Sequence, residues 1–278
     1  MQGAKGGAHP GCTRRREGGR LAGLGATLVT YQSILAYDGT EFAGFQRQRG
    51  RRTVQGEVER ALHRLGWQER AVRAAGRTDT GVHATGQVIA YSLAWDSEAD
   101  RLTQALNAML PSDAAVVRTV EVPAGFHPRY AAHWRRYRYR VVAAPERQPL
   151  AERYAWRVWP GPELGVMARA GAMLLGEHDF GAFGLPPRRE SHTRRTVRRA
   201  DWIQDGEGAS FVIEGDAFLY RMVRRLTAAL VAVGQGRTAS RAIADSLANP
   251  RQRWQGHLAP AHGLCLEAVE FDENQADG

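Results

Sequence analysis

The order of its secondary-structure patterns constrains the fold of this 278-residue chain more than any other feature. From about residue 27, a strand pattern, a helical pattern, two short strand patterns, a second helical pattern and a further strand pattern follow one another, which is the split β-α-β-β-α-β arrangement. A similar cycle continues to about residue 271, without a residue-level repeat. The order therefore predicts an α+β fold of two similar halves, whose mixed or antiparallel sheets join into one extended sheet flanked by helices, with a cleft between the halves.

The helix predicted at 53–65 has the clearest boundaries, because Thr53 can cap its first turn and Gly66 can end it. Other helices are predicted at 101–110, 165–175, 219–233 and 240–248, and the main strands at 27–37, 115–122, 133–143, 197–204, 210–215 and 264–271. We divide the chain into a disordered basic tail (1–26), an N-terminal α+β domain (27–125), a C-terminal α+β domain (126–273) and an acidic tail (274–278).

A loop at 75–84, Ala-Gly-Arg-Thr-Asp-Thr-Gly-Val-His-Ala, carries one carboxylate, Asp79, between glycines at 76 and 81. Arg77 stands two residues before it and His83 four residues after it. Glycine lets a backbone turn sharply and approach a ligand closely, so the loop is suited to presenting a carboxylate to a bulky ligand. A bare Gly-x-x-Asp-x-Gly segment more often forms an Asx turn or a helix cap, so other segments must decide its function.

The chain carries 38 basic and 29 acidic residues, for a formal net charge of +9. Residues 1–26 contribute +4 and residues 267–278 contribute −5, so the part between them carries +10. Such an excess favours a polyanionic partner, because binding releases counterions. Lys5 is the only lysine, so nearly all the basic residues are arginines. This predominance of arginine fits bidentate phosphate binding, but it also fits a genome-wide bias for arginine.

Several classes of protein are disfavoured by the sequence. It has no apolar run of the ~18 residues that a membrane span needs, and its first residues lack the apolar core of a secretory signal, so we expect a cytoplasmic protein. The two cysteines, Cys12 and Cys265, form no Cys-x-x-Cys pair, and no second set completes the His178-Asp179 pair as a coordination shell. Neither a metal nor a disulfide is therefore expected.

The 75–84 loop and five further segments resemble, in the same order, the TruA-type tRNA pseudouridine synthases. The segments lie at 37–55, 126–139, 176–180, 218–224 and 263–266, and include Phe-His-Pro-Arg-Tyr (126–130), Arg-Arg-Tyr-Arg-Tyr (135–139) and Phe-Leu-Tyr-Arg-Met-Val-Arg (218–224). The resemblance implies an enzyme that isomerises uridine to pseudouridine at positions 38, 39 and 40 of the tRNA anticodon stem-loop. It also implies that no cofactor or metal is needed, and that a homodimer binds the anticodon arm.

The same resemblance assigns the candidate catalytic residues. Asp79 is expected to be the nucleophile, and the sequence leaves open whether it attacks C1′ or C6 or abstracts a proton. Arg77 and Arg224 are expected to position Asp79 and favour its ionised form, because a nearby cation stabilises a carboxylate. Tyr137 is expected to stack on the target base or to serve in proton transfer. Arg225 is a departure, because the family often has Asn there.

Two segments are expected to contact RNA. The first belongs to the resemblance and consists of Phe126, His127, Pro128, Arg129 and Tyr130. The second is the basic segment 187–199, which lacks an apolar period before Val197 and is therefore predicted to be a flexible loop. Its phosphate contacts are assigned to Arg188, Arg189, Arg194 and Arg195.

Residues of the strand predicted at 133–143 alternate between two faces. Tyr137 and Tyr139 share one face, and Arg136, Arg138 and Arg140 share the other. Aromatic and arginine stripes on a sheet can stack bases and hold phosphates, although Tyr139 is expected to be core. In the helix predicted at 219–233, three arginines at positions 221, 224 and 225 are likewise expected to share the face opposite the apolar one.

Two alternative classes remain. A non-catalytic RNA-binding protein would tolerate loss of the four candidate catalytic residues, but all four are present. A glycoside- or phosphodiester-cleaving hydrolase usually needs paired carboxylates or a metal cluster, which the sequence does not place near Asp79. Chelation distinguishes a metal-dependent nuclease from a pseudouridine synthase, because EDTA should inactivate the nuclease and leave the synthase active.

Overall fold

The structure, a computed structural model, describes residues 27–186, 191–206 and 208–271. Within those ranges, ten strands form a single sheet. They are β1 (Leu28–Tyr37), β2 (Arg73–Ala74), β3 (His83–Ala94), β4 (Ala114–Glu121), β5 (Ala132–Ala143), β6 (Trp156–Val158), β7 (Gly176–Asp179), β8 (Arg194–Asp205), β9 (Gly208–Gly215) and β10 (Leu264–Phe271). The predicted tails at 1–26 and 274–278 lie outside the described residues.

The sheet has the strand order β4-β1-β3-β10-β5-β9-β8-β7, with β2 beside β3 and β6 beside β5. Its pairs are antiparallel except for β3–β10 and β5–β6. The last strand, β10, joins the sheet, because it pairs with β3 on one side and with β5 on the other. The prediction of one extended mixed sheet is therefore confirmed, while the domain boundary near residue 125 stays a prediction.

Six helices accompany the sheet in the described residues: α1 (Val54–Arg64), α2 (Ala99–Asn107), α3 (Pro128–Ala131), α4 (Leu164–Ala172), α5 (Met222–Gly234) and α6 (Arg241–Ala248). Helix α1 begins and ends where the sequence predicts. The Thr53 hydroxyl accepts a hydrogen bond from Gly56 N–H (3.3 Å), and Gly66 has a positive φ (+92°) just beyond the helix. None of these helices is long and apolar enough to cross a membrane.

Helix α5 begins three residues later than predicted. Tyr220 forms an antiparallel bridge with Leu185 through two backbone hydrogen bonds (2.9 and 3.4 Å), which keeps its backbone out of the helix. Arg221 then adopts a left-handed conformation, with φ of +63°. The predicted face of three arginines is therefore wrong, because Arg224 and Arg225 lie in the helix and Arg221 precedes it.

The helices cover one face of the sheet through two hydrophobic clusters. One cluster joins α1 and α2 to β1, β3 and β4, and the other joins α4 and α5 to β5, β8 and β9. Leu264 of β10 belongs to the second cluster and Leu266 to the first. Because alternate residues of a strand share a face, both sets of helices cover the same side. Tyr139 is fully buried there, as predicted, and Tyr137 packs against both clusters.

The opposite face of the sheet is open and carries a set of ion pairs that we call the arginine ladder. Its cations are Arg136, Arg138 and Arg140 of β5 and Arg198 of β8. Each lies within 3.1 Å of a carboxylate, and the partners are Glu214 (for Arg136 and Arg198), Glu267 (for Arg138) and Asp205 (for Arg140). The predicted alternation is confirmed, but these guanidiniums bind carboxylates and do not stand free for phosphates.

Candidate active site

The centre of the site is a contact between Asp79 and Arg224. Arg224, in the first turn of α5, donates from Nη1 to Oδ2 of Asp79 (3.0 Å), while its Nε donates to the carbonyl of Ala259 (2.8 Å). Both side chains are largely withdrawn from water, with 21% of Asp79 and 12% of Arg224 exposed. The fold thus brings together two residues that are 145 positions apart, through a charge-assisted hydrogen bond.

The loop that carries this carboxylate is anchored by hydrogen bonds along its length. The Gln87 side chain donates to the carbonyl of Gly76 (3.2 Å). The carbonyl of Thr78 accepts from Phe45 N–H (3.1 Å), and its hydroxyl pairs with the Tyr37 hydroxyl (2.8 Å). Burial raises the pKa of Tyr37, so its phenol stays protonated and can donate. Asp79 therefore follows a residue whose backbone and side chain are both fixed.

Two glycines are required for the shape of the loop. Val82 N–H donates to the carbonyl of Asp79 (3.1 Å) and closes a tight turn, in which Gly81 has φ of +77°. A positive φ at the third residue of a type II turn favours glycine. Gly44, from the segment after β1, lies so close that a Cβ there would be 2.9 Å from the carbonyl of Thr78. A side chain at either position would displace the carboxylate.

Arg77 does not contact Asp79. Its side chain is exposed, and it makes no ion pair with any residue that the structure describes. Of the two cations expected to position the carboxylate, Arg224 is therefore the one that touches it. Arg77 lies in the same loop with its charge available to a ligand.

Tyr137 lies on the covered face of β5, opposite Leu266 of β10. Phe218 meets its ring edge-on, with 5.2 Å between the centroids. Burial raises the pKa of Tyr137 to about 12, with Arg135 opposing this and the charge of Asp79 adding to it. At neutral pH the phenol is protonated, so it can donate a hydrogen bond.

Comparison with known proteins identifies the family. The family model described as tRNA pseudouridine synthase matches residues 34–131 and 170–272, which include Asp79 and Arg224. The chain belongs to this family. The enzyme class predicted from the sequence, an isomerase of the pseudouridine synthase type, is confirmed.

Three relatives named tRNA pseudouridine synthase A illustrate the similarity. The protein of Halalkalibacterium halodurans is 39% identical over 83% of this chain and 88% of its own length. That of Moorella thermoacetica is 43% identical, covering 85% of this chain and 97% of its own. That of Frankia casuarinae is also 43% identical, covering 88% and 90%.

In this synthase, the predicted RNA-binding segment 126–130 lies beside β2, the strand that leads into the Asp79 loop. Phe126 packs against the end of β10. Tyr130 is 80% exposed, with its ring 4.5 Å from that of His127. Arg129 is exposed as well and forms no ion pair within the described residues. The segment therefore offers solvent an aromatic ring and a cation, which are the groups that an RNA strand binds.

The second predicted RNA-binding segment is a strand from Arg194 onward, and only residues 191–193 of its described part lie outside regular structure. Arg194 and Arg195 begin strand β8, while Arg188 and Arg189 lie outside the described residues. The sequence pattern did not predict this part of the strand because Arg195, like Val197, occupies an inward position. An arginine is not counted as apolar, so the alternation of a strand is not recognised there.

Neither of these two strand arginines is free for a phosphate in the way predicted. Arg194 is ion-paired with Glu177 (2.6 Å). Arg195 is buried, and its Nη1 donates to the carbonyl of His192 (3.2 Å). The structure therefore corrects their placement from a loop to strand β8, and the RNA contacts assigned to them stay a prediction.

Three cations near the start of α5, which we call the α5 arginine group, consist of Arg221, Arg225 and Arg253. Arg221 lies 4.7 Å over the ring of Tyr220. Arg225 donates to the carbonyl of Phe183 (3.2 Å), and burial, together with the charges of Arg253 and Arg221, lowers its pKa. In the part of the chain that the structure describes, none of the three has a carboxylate partner. This end of the site therefore carries uncompensated positive charge.

His83 fixes the other end of the loop, a role that sequence reasoning missed. Its Nδ1 accepts from Gly39 N–H (3.0 Å), and its Nε2 donates to the carbonyl of His262 (3.1 Å). Burial lowers the pKa of His83, although Asp38, 3.1 Å from Nδ1, opposes this. The direction of the shift and the bond from Gly39 agree on a neutral ring, so His83 acts as a structural link.

A cavity of about 480 Å³ lies on the open face of the sheet, away from the Asp79–Arg224 contact. Among its lining residues are Asp38, Thr85, Arg138, Tyr154 and Glu267. None of the four candidate catalytic residues lines it. The cavity therefore excludes the candidate catalytic residues, although Tyr37, His83 and Cys265 of the family segments lie in its wall.

Proposed function

We propose that this synthase converts uridine to pseudouridine at positions 38, 39 and 40 of the tRNA anticodon arm, with Asp79 as the nucleophile. The observation that carries the proposal is the 3.0 Å contact between Arg224 and Asp79 in an anchored, half-buried loop. Arg224 orients one carboxylate oxygen, and Oδ1 has no hydrogen-bond partner among the described residues, which leaves it for the substrate. The relatives named tRNA pseudouridine synthase A support tRNA as the substrate.

The reaction balances without any added group or electron. The N1–C1′ bond breaks, the uracil turns, and a C5–C1′ bond forms, while C5 loses a proton and N1 gains one. Asp79 holds either the sugar at C1′ or the base at C6 while the ring turns, and is then released. Tyr137, protonated at neutral pH, stacks on the base or donates to it.

The RNA must give up stacking for this chemistry to occur. A uridine in the anticodon arm has to leave its stacked position to reach Asp79, which costs a few kcal/mol. Phosphate contacts elsewhere on the surface offset this cost. We assign these contacts to cations around the Asp79 loop and the start of α5 that are exposed or partly exposed and have no carboxylate partner in the described residues, namely Arg77, Arg129 and the α5 arginine group.

The enzyme is further proposed to act as a cytoplasmic homodimer, with the anticodon arm crossing both subunits. This rests on the similarity to the family rather than on any observed contact. Light scattering of the purified protein should give a mass of two chains without tRNA, and of two chains plus the bound RNA with it. A monomer in both states would remove the dimer from the account.

Anticodon-arm transcripts with a single uridine at position 38, 39 or 40 test the assignment of positions, and a transcript with its uridine at position 32 is the matched control. Pseudouridine is located by carbodiimide modification, which stops reverse transcription. We expect product at each of the three positions, none at position 32, none with Asp79→Asn, and no effect of EDTA. RNA binding without product in any transcript would favour a non-catalytic RNA-binding protein instead.

A further inference from the structure

Arg135 is an arginine on the covered face of the sheet. It alternates with Tyr137 and Tyr139 along β5, so it points toward the core, and it is 9% exposed. No carboxylate of the described residues lies within ion-pair distance of it. Burial lowers the pKa of its guanidinium, which means that the site disfavours the charge. A cation without a counter-ion at such a position is unusual and calls for a reason.

Its guanidinium donates to four backbone carbonyls. Nη1 donates to Ala132 (3.0 Å) and to Asp216, and Nη2 donates to Arg129 (2.7 Å) and to Ala75 (3.4 Å). The carbonyl dipoles satisfy the donors that burial has removed from water. They also join parts of the chain that are far apart in sequence.

Two of these carbonyls belong to the segments that supply the catalytic pair. Ala75 opens the loop and lies four residues before Asp79. Asp216 follows β9 and lies eight residues before Arg224. One planar group therefore connects the backbone that leads to the carboxylate with the backbone that leads to its cation.

We propose that Arg135 is a positioning residue for this reaction, and that it fixes the separation between Asp79 and Arg224 by bridging their two backbone segments. The inference rests on the proposed function. A guanidinium presents five donors in a rigid plane, so it can hold several carbonyls in set directions, whereas the ammonium of lysine is a point-like charge. Arg135→Lys therefore keeps the positive charge but removes the planar set of donors that binds the four carbonyls.

Arg135→Lys and Arg136→Lys form a matched pair, because the second residue is the next along β5 and belongs to the arginine ladder on the open face. The measurements are the single-turnover rate of C5-hydrogen release, the Kd for tRNA and the melting temperature. Arg135→Lys should slow turnover at least about tenfold, since small displacements of a catalytic group are costly, and should leave Kd within about threefold. Arg136→Lys should change both less than about twofold. A folded Arg135→Lys protein with wild-type turnover overturns the proposal.

A double-variant cycle separates positioning from a general structural role. If Arg135 acts through the catalytic pair, adding Arg135→Lys to Arg224→Lys should cost little further turnover, because the contact is already lost. Losses that multiply overturn the proposal. Should Arg135→Lys fail to fold, Asp216→Ala takes its place in the same cycle.

Asp216→Ala loosens the backbone that leads from β9 to Arg224, and it leaves the buried Arg135 side chain in place. The Asp216 carboxylate accepts from the backbone N–H groups of Thr196 (3.1 Å) and Ala217 (2.6 Å). These two hydrogen bonds hold the segment between β9 and α5, which we call the connector, in place. Asp216→Ala should slow turnover in the wild-type background and add little to Arg224→Lys. Absence of C5-hydrogen release from the wild type would instead reject the proposed function, which is a distinct result.

Discussion

The arginine ladder on the open face and the arginines around Asp79 place the same side chain in opposite electrostatic settings. On the ladder, each guanidinium lies within 3.1 Å of a carboxylate, and Glu214 is bound by two of them. Around Asp79, Arg224 has the catalytic carboxylate as its partner. In the same region, and within the described residues, Arg77, Arg129 and the α5 arginine group have no carboxylate partner.

The difference shows that the number of arginines does not locate an RNA-binding surface. Charge on the ladder is cancelled locally, so a phosphate would have to displace a carboxylate that is already bound. Around Asp79 the charge is uncompensated, so a phosphate there displaces only water and counterions. The uncompensated part of the net +10 that residues 27–266 carry therefore includes the arginines beside the catalytic carboxylate.

Turnover should show the largest contrast between the two groups. Arg224→Gln removes the cation that orients Asp79, and it should slow single-turnover release of the C5 hydrogen by about 100-fold. Arg138→Gln removes one arginine of the ladder and should leave the rate within about twofold, because its ion pair is partly exposed. An equal loss of turnover in the two variants would contradict the separation of the arginine ladder from the arginines of the active site.

Stability should show the reverse contrast. Glu214→Gln removes the more buried of the two carboxylates that Arg136 and Arg198 share, since Glu214 is 6% exposed and the other, Glu270, is 38% exposed. It should lower the free energy of unfolding by about 2 kcal/mol, less than for a fully buried pair because the arginines are partly solvated. Asp201→Asn, at an exposed pair with Arg199, is the control and should cost under about 0.5 kcal/mol in urea unfolding. Slower turnover of the folded Glu214→Gln protein would contradict the view that the arginine ladder contributes to stability and not to catalysis.

The same variant makes a prediction in acid. Burial alone would raise the pKa of Glu214, but hydrogen bonds from Arg136 and Arg198 outweigh it and hold the pKa below its ordinary 4.5. A carboxyl with a lowered folded pKa stabilises the fold above its unfolded pKa, and this stability is lost as the pH falls through the folded value. The difference in unfolding free energy between wild type and Glu214→Gln should therefore shrink below about pH 4.5. A constant difference would mean that the charge of Glu214 is not what stabilises the ladder.

The affinity for tRNA should show a smaller contrast. Wild-type affinity should fall steeply between about 50 and 200 mM salt, because phosphate contacts release counterions. Arg221→Gln should reduce the slope of log K against log salt by about one, whereas Arg140→Gln should not change it. Filter binding at four salt concentrations measures both slopes. A flat wild-type dependence would rule out the phosphate contacts.

The smallest effect concerns His83, which links the end of the loop to the carbonyl of His262. Burial lowers the pKa of His83 from its ordinary 6.5, so a proton binds the unfolded chain more readily than the folded one. The free energy of unfolding should therefore fall as the pH drops below about 6.5. His83→Asn should flatten this decline by under about 1 kcal/mol between pH 7 and 5.5. An unchanged pH profile would show that the ring is not held neutral.

Local periodicity predicted most of the fold, because the strands and helices bury one regular face. The elements predicted at 53–65 and 264–271 match the structure to within one residue. The prediction failed at the start of α5, where a long-range bridge between Tyr220 and Leu185 replaces the first helical turn. It also failed at the start of β8, where Arg195 takes an inward position that an apolar pattern does not register.

The candidate site depended on family resemblance more than on spacing. Nothing in the local sequence places Arg224 beside Asp79, because their contact arises only when β10 inserts between β3 and β5. Which arginines are free likewise depends on cross-strand neighbours such as Glu214. A signal for Arg135 was present, since it shares the core-facing side of its strand with Tyr139.

The most direct test of Asp79 as the nucleophile is tritium release from tRNA labelled at C5 of uracil, with wild type and Asp79→Asn compared and tRNA binding measured for both. C5 must lose its hydrogen when it becomes the glycosidic carbon, so release reports this chemistry. The account predicts that the wild type releases tritium, whereas Asp79→Asn binds tRNA at least as tightly and releases none. Release by Asp79→Asn at the wild-type rate would contradict it.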